Sequence, residues 1–393
     1  MDEMQQEKPL LKDSNLYIIF MITLLAVMGV ASITPAFPEM IRFFHITSKQ
    51  VGWLIVVFTL PGIALTPVMG VLADRLGRKA ILIPSLFVFG LAGFACTFMR
   101  TFEHLLILRF IQGIGAATLG SLNITLIGDL YAGPRRASAM GYNASVLSIG
   151  TAAYPAIGGA IAMFGWFYPF VLPLLAVPAG IVVILGLKNP EPQRGVELKA
   201  YLKSAWKNIN QQSVWGLFIA NIVVFIMLYG SLLTYFPMLL EKVLHANSLN
   251  IGLAMSAMSL STAIVSSQLG RLRKKFESKT LLFASFIIYA AALLFIPLSH
   301  SWSMIFASVV LFGIAHGMNI PNIQTMLVGY APMKERAAFM SINSMVLRIG
   351  QTLGPLVIGF FFTLGSFRMA FWGGSVLALL MIVVIAVMVK RKE

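Results

Sequence analysis

Apolar residues in this chain run in long blocks, punctuated by short polar or charged segments. About 20 consecutive apolar residues let a helix cross a bilayer core of about 30 Å. Twelve stretches reach that length, at 16–38, 49–73, 80–99, 104–130, 138–163, 167–187, 213–239, 248–270, 280–298, 302–330, 337–363 and 368–389. The alternating segments of about ten residues that mark a transmembrane barrel do not occur, and lipid then leaves only helices to satisfy the backbone. The pattern predicts an all-α membrane protein of twelve transmembrane helices. The residues before position 16 are polar and carry no convincing cleavage site, so 16–38 is read as a retained first helix.

The longest polar connection, 188–212, divides the stretches into six and six. Segment 136–159 lies on 336–359 without a gap, and Asn143/Asn343, Gly150/Gly350, Pro155/Pro355 and Gly159/Gly359 are among the identities. The same offset of 200 pairs Gly70 with Gly270 and Lys79 with Lys279. The expected organisation is a bundle at 1–187, a linker at 188–212 and a second bundle at 213–393. Parallel repeats of this kind are related about the membrane normal and hold their site near the midplane between the halves. Within the linker, VELKAYLKSAWKNI is expected to form a short amphipathic surface helix.

Composition narrows the class further. The chain has 393 residues, 58% hydrophobic and 11% charged, against roughly 45–50% and about 25% in soluble domains. That excludes a soluble enzyme, a disordered scaffold and a disulfide-rich secreted protein. The lone cysteine, Cys96, supplies neither a bridge nor a thiolate cluster, and no metal or cofactor is expected. The net charge of +15 would suggest nucleic acid in a soluble protein. With the amino terminus in the cytoplasm, however, 22 of the 29 lysines and arginines fall on the inner side. Five lie outside (Arg42, Lys49, Arg100, Lys242 and Arg368), and Arg109 and Arg348 lie within spans. The positive-inside rule then places both termini in the cytoplasm of a cell-membrane protein, with no nucleic-acid partner.

The connection after the second stretch reads Gly70-Val71-Leu72-Ala73-Asp74-Arg75-Leu76-Gly77-Arg78-Lys79. The fourth stretch carries Leu108-Arg109-Phe110-Ile111-Gln112-Gly113-Ile114-Gly115, and the fifth carries Gly150-Thr151-Ala152-Ala153-Tyr154-Pro155-Ala156-Ile157-Gly158-Gly159. These resemble motifs of the major facilitator superfamily, nearest to its twelve-span drug:proton antiporters. The resemblance implies that Gly70, Asp74, Arg75, Gly77 and Arg78 form a conformational clasp, with Gly70 and Asp74 against the start of span 11. It links Arg109, with Gly113 nearby, to proton coupling. It also makes Tyr154, Pro155 and Gly159 part of the interface of spans 5 and 8. Two departures stand out: Lys274 occupies the repeat position of Asp74, and Tyr154 stands where the family usually has glycine. A phenol at 154 is expected either to obstruct close helix approach or to line the cavity.

A polar residue present in one half only is not required by the scaffold. Arg348 faces Ser148, Arg109 faces Val309, His316 faces Ala116, Asn319 faces Leu119, and Asn123 faces Ile323. Ser344, Arg348, Gln351, Thr352 and Pro355 follow one helical face. His316 and Asn319 share a face of span 10, and Asn221, Phe225 and Tyr229 share one on span 7. The candidate solute-binding set is therefore Arg348, Gln351, Ser344, His316, Asn319, Asn123, Asn143, Asn221, Tyr229 and Arg109, with interhelical hydrogen bonding as the other role open to the asparagines. All fourteen acids lie near span ends, in loops or in tails, so the buried cations favour an anionic or zwitterionic solute. Candidates for moving a proton are Arg109, His316, Glu39 and Asp129.

No HExxH, GxSxG, Walker loop or intramembrane aspartate pair occurs, so an enzyme or a directly ATP-driven pump is not expected. The expectation is a monomeric secondary transporter that exports amphipathic solutes against protons by alternating access. An organic-anion uptake carrier and a lipid or lysolipid flippase are the alternatives.

Overall fold

The computed structural model describes residues 10–187, 211–330 and 336–390, the side chains of 336–338 excepted. It contains helices α1 (Ser14–Phe44), α2 (Ser48–Leu76), α3 (Arg78–Phe98), α4 (Phe102–Leu130), α5 (Gly133–Ala162) and α6 (Tyr168–Gly186). Then come α7 (Gln212–Leu244), α8 (Ser248–Lys275), α9 (Ser278–Leu298) and α10 (Trp302–Tyr330). The last helical segment, Arg336–Met388, has 53 residues. Straight, it would measure about 80 Å, far more than a bilayer. It breaks at Gly365 and at Ser366, whose φ of 77° no helix tolerates, into α11 (336–364) and α12 (367–388). The described residues thus make twelve crossings, as the hydropathy pattern predicts, although α1 runs to Phe44 rather than stopping near 38. The expected linker helix lies outside the described residues.

Helix boundaries repeat with the sequence offset of 200. Ser48 and Ser248 open α2 and α8, while Phe102 and Trp302 open α4 and α10. His45 and His245 both cap their helices in the left-handed conformation, at φ 52° and 50°. Close-packing glycines repeat as well. A Cβ on Gly113 would fall on the Phe58 carbonyl, and one on Gly313 would fall on the Met258 carbonyl, so α4 packs on α2 as α10 packs on α8. Small residues of this kind let membrane helices approach without a hydrophobic driving force between them. The chain is an all-α protein of two pseudo-symmetric six-helix bundles.

The start of α1 and the end of α12 lie on one side, called here the terminal face. Lys79 at the start of α3 donates to the Ile184 carbonyl of α6 at 3.0 Å. At the repeat position, Lys279 donates to Val389 beyond the end of α12 at 2.6 Å. Each satisfies carbonyls that a helix terminus leaves without a partner. Asp13 caps α1 and accepts from Tyr131 beside the end of α4 at 2.9 Å. Burial, then this carboxylate, push the Tyr131 phenol above its ordinary range. The opposite side, where α1 ends and α2 begins, is the far face.

Two helices depart from α-helical geometry over long runs among the described residues: α6 is 3-10 from Tyr168 to Leu175, and α7 is π-helical from Met227 to Tyr235. There Thr234 donates to the Tyr229 carbonyl five residues back at 2.7 Å. Stretches of this kind concentrate at functional sites.

Candidate functional site

The bundles meet along two seams that the repeat relates. A Cβ on Gly252 of α8 would fall on the Pro155 carbonyl of α5, and one on Gly52 of α2 would sit 3.1 Å from the Pro355 Cβ of α11. A Cβ on Gly159 of α5 would fall on the Ser248 carbonyl of α8. The motif residues Pro155 and Gly159 therefore do build the contact of spans 5 and 8. Tyr154 does not obstruct it: its ring folds back to 3.5 Å from the Cβ position of Gly150, on the α1 side of the helix.

Polar contacts between the bundles continue the seams inward from the far face. Arg42 pairs with Glu241 at 2.7 Å, and Ser248 donates to Glu39 at 2.7 Å. Ser256 accepts from the Ala156 backbone at 3.1 Å, and Thr59 and Thr352 bond at 2.8 Å. Among the described residues the deepest joins Arg348 Nη2 to the Ala116 carbonyl at 3.4 Å, and Ala116 is the central residue of α4. Nearer the terminal face, a Cβ on Gly70 or Gly270 would meet nothing within 4 Å among the described residues. This conformation is closed at the far face.

The Arg42–Glu241 pair is exposed, with side chains 59% and 39% accessible. Such pairs contribute about 0.2–1 kcal/mol. Glu241→Arg is expected to weaken far-face closure roughly two- to fivefold, and the swap with Arg42→Glu to restore it. Spin-label distances across the far face would check both.

Arg348 is the charged group that the seam positions at mid-depth. Its stem lies along α2, where a Cβ on Gly62 would come within 3.1 Å of Cδ and Nε. Nη1 donates to Gln351 Oε1 at 3.2 Å. The stripe predicted on span 11 meets the other bundle at Thr352, against Thr59, and at Pro355, against Gly52, whereas Ser344 bonds within its own helix to the Met340 carbonyl at 3.0 Å. An aromatic wall from α7 comes within electrostatic reach of Arg348 at Tyr229. Phe225 and Tyr229 stack with centroids 5.9 Å apart at 30°. They pass close to α11 at Gly350 and Gly354, whose Cβ atoms would lie 2.8 and 3.0 Å from theirs. His316 follows, 6.4 Å from Phe225, and shares a hydrogen bond of 2.7 Å with the Tyr289 hydroxyl.

Other candidates lie elsewhere. Asn319 is fully buried and donates to Ser285 at 2.7 Å, so its shared face with His316 packs on α9. Asn221 donates to Asn343 at 2.8 Å, joining α7 to α11. Thr23 donates to Asn143 at 2.5 Å and accepts from Asn123 at 2.8 Å, tying α1, α4 and α5 together. The structure thus places these four asparagines in interhelical hydrogen bonds. Arg109 is fully buried inside the first bundle, with its guanidinium 4.1 Å over the Phe58 ring and bonded to Gln112 at 2.6 Å. It does not join Arg348 at the seam.

At the terminal face Arg78 ties Asp74 at 2.5 Å to Asp129 at 2.8 Å within the first bundle. Gly77, at φ 94°, makes the turn that presents Arg78 to both. Arg75 stands in the last turn of α2. The expected contact of Gly70 and Asp74 with the start of α11 involves residues outside the described side chains.

Sequence reasoning missed Gly62, Gly120 and Ala116 as the slot for Arg348, and Tyr289 as the partner of His316. Small residues opposite a lone intramembrane arginine were the available signal, but it needs the helix pairing to be read.

Comparison with known proteins agrees with this architecture. The model described as Major Facilitator Superfamily matches residues 19–250 and 236–393. The chain is 27% identical over 358 residues to the "Bacillibactin exporter" of Bacillus subtilis (strain 168), covering 87% of this chain and 88% of that one. It is 26% identical over 356 residues to "Multidrug resistance protein 1" of the same organism, covering 89% and 90%. Among solved structures, a bacterial homolog of the human lysosomal transporter Spinster, inward-facing and unoccupied, aligns with a TM-score of 0.75 at 18% identity, over 95% and 94% of the two chains. With fold, motifs and relatives agreeing along nearly its whole length, the chain belongs to the Major Facilitator Superfamily and is a multi-pass membrane transporter of small solutes, not an enzyme.

Proposed function

We propose that this protein is a proton-coupled exporter of amphipathic solutes that works by rocking the bundle 1–187 against the bundle 213–393, with 188–212 as linker. One observation carries the reading: the bundles are sealed at the far face, and their deepest polar contact is at mid-depth, between Arg348 and Ala116. The surplus of lysine and arginine makes the terminal face cytoplasmic, so this is the state that loads solute from inside. A relative named as a bacillibactin exporter supports the direction, and another is named as a multidrug resistance protein. In this reading His316, bonded to Tyr289 beside the aromatic wall, exchanges the coupled proton. Arg109 supports the first bundle from within. Glu39 and Asp129 serve the far-face and terminal-face contacts through Ser248 and Arg78. The protein acts as a monomer, with protons and membrane lipids as its other partners.

The test is reconstitution into liposomes with an imposed pH gradient and a panel of cationic, neutral and anionic amphipathic compounds. An acid interior is expected to drive uptake, and a protonophore to abolish it. Solute movement that ignores the gradient overturns the proton coupling, and no movement of any compound overturns the transport reading for this panel.

A further inference from the structure

We infer that the solute taken by this site is an aromatic anion whose acidic group captures the Arg348 guanidinium from the Ala116 carbonyl while its ring lies along Phe225 and Tyr229. Substrate class is thereby added to the export reading, on which only the movement of the bound solute depends.

Arg348 has weak partners. Gln351 Oε1 at 3.2 Å and the Ala116 carbonyl at 3.4 Å are neutral acceptors at or beyond the long end of the hydrogen-bond range. The Ala116 carbonyl also lies inside the continuous helix α4, so it already serves its own ladder. Among the described residues, ion pairs with carboxylates are made by Arg42 and Arg78 and not by Arg348. A carboxylate or acidic phenolate offers the fork of a guanidinium a bidentate, charge-assisted pair at about 2.7–2.9 Å, roughly twice as strong as a neutral bond. A cationic solute would meet an uncompensated like charge there.

The slot fixes how the charge is presented. Gly62 leaves room for the arginine stem, and a Cβ on Gly120 would still clear Nη2 by 3.9 Å. Arg348 itself is only half-buried. Phe225 and Tyr229 are half-buried too, one helical turn apart along Gly350 and Gly354, and the Tyr229 hydroxyl lies within electrostatic reach of the Arg348 guanidinium, so this ring joins the flat apolar surface to the charge. Tyr289 and Phe312, fully buried behind His316, back this wall and keep its inner side apolar. An arene bearing an acidic group matches both features. Because Ala116 belongs to the opposite bundle, its bond to Arg348 breaks as the anion binds, which releases the deepest polar contact of the seam.

The experiment measures binding to the full-length protein in nanodiscs, with empty nanodiscs subtracted. The probes are 2-naphthoate, 2-naphthylmethanol and 2-naphthylmethylammonium. 2-Naphthoate is expected to bind at least tenfold tighter than the alcohol, with the ammonium weakest. Arg348→Gln is expected to bring naphthoate and alcohol within about twofold, and Arg348→Lys to keep part of the preference. Phe225→Ala should weaken naphthoate and alcohol by the same factor. Equal binding of the three probes, preference for the ammonium, no binding of any probe, or a naphthoate preference that survives Arg348→Gln would each overturn the assignment. The wild-type order decides by itself should a variant fail to fold. Naphthoate counterflow in liposomes is scored separately: charge-dependent binding without counterflow supports the anion assignment and counts against the export reading.

Discussion

Gly159→Leu is expected to abolish transport and to drive the protein out of the far-face-closed state. A Cβ at this position would fall on the Ser248 carbonyl, with the Ser248 carbonyl carbon at 3.0 Å and the Leu249 Cα at 3.2 Å. All three are backbone atoms of the opposite bundle, so no side chain can swing aside. Adding a single methylene to a packed contact costs about 1–3 kcal/mol, which shifts a two-state equilibrium by roughly five- to 150-fold. A leucine goes well beyond that. The same contact also loses the Ser248–Glu39 hydrogen bond, which depends on α8 staying within reach of α1. Gly252→Val should behave alike, because its Cβ would fall on the Pro155 carbonyl from the other side of the seam. Gly270→Ala is the control, since nothing lies within 4 Å of its Cβ position among the described residues. Spin-label distances across the far face, read together with solute flux, measure the effect. Wild-type distances and flux in Gly159→Leu would show that the α5–α8 contact is not needed for closure.

Gly113→Val is expected to destabilise the first bundle by about 3 kcal/mol or more and to leave little folded protein. A Cβ here would fall on the Phe58 carbonyl, with the Phe58 Cα 3.1 Å away. Phe58 cannot move cheaply, because its ring stacks under the Arg109 guanidinium at 4.1 Å. That guanidinium is fully buried, its Nη2 has no hydrogen-bond partner among the described residues, and Gln112 at 2.6 Å supplies its main neutral support. Displacing Phe58 removes the cation–π contact from a charge that has no water to turn to, and such contacts reach about 2 kcal/mol when desolvated. Gly120→Ala, two turns along the same face of the helix, should stay near wild type, since among the described residues only Arg348 Nη2, at 3.9 Å, lies close. Thermal unfolding of the purified variants separates the two. Equal melting of Gly113→Val and wild type would mean that α4 does not depend on this approach.

The two arginines show where reading the sequence stops. Both Arg109 and Arg348 look alike there: an intramembrane cation with an apolar or small residue at the repeat position. Only the packing separates them. Arg109 turns into its own bundle, where an aromatic ring and an amide hold it, while Arg348 crosses to the other bundle and stays half-open. The asparagines carry the same lesson. Asn143 and Asn343 are a repeated pair, and each binds across to the first helix of its own bundle, at Thr23 and at Asn221. A polar side chain in an apolar span must find a partner, and helical periodicity cannot say whether that partner is a neighbouring helix or a solute.

What the sequence settles unaided is what short-range chemistry controls. Block length sets the number of crossings, and the offset of 200 fixes two equivalent bundles. Which glycines meet the opposite bundle, which face is sealed, and which cation is left facing solute are set only when twelve helices pack. Those choices depend on close approaches between positions far apart in the chain, such as Gly159 to Ser248, 89 residues on, and Ala116 to Arg348, 232 residues on, and no local pattern along the chain encodes such a distance.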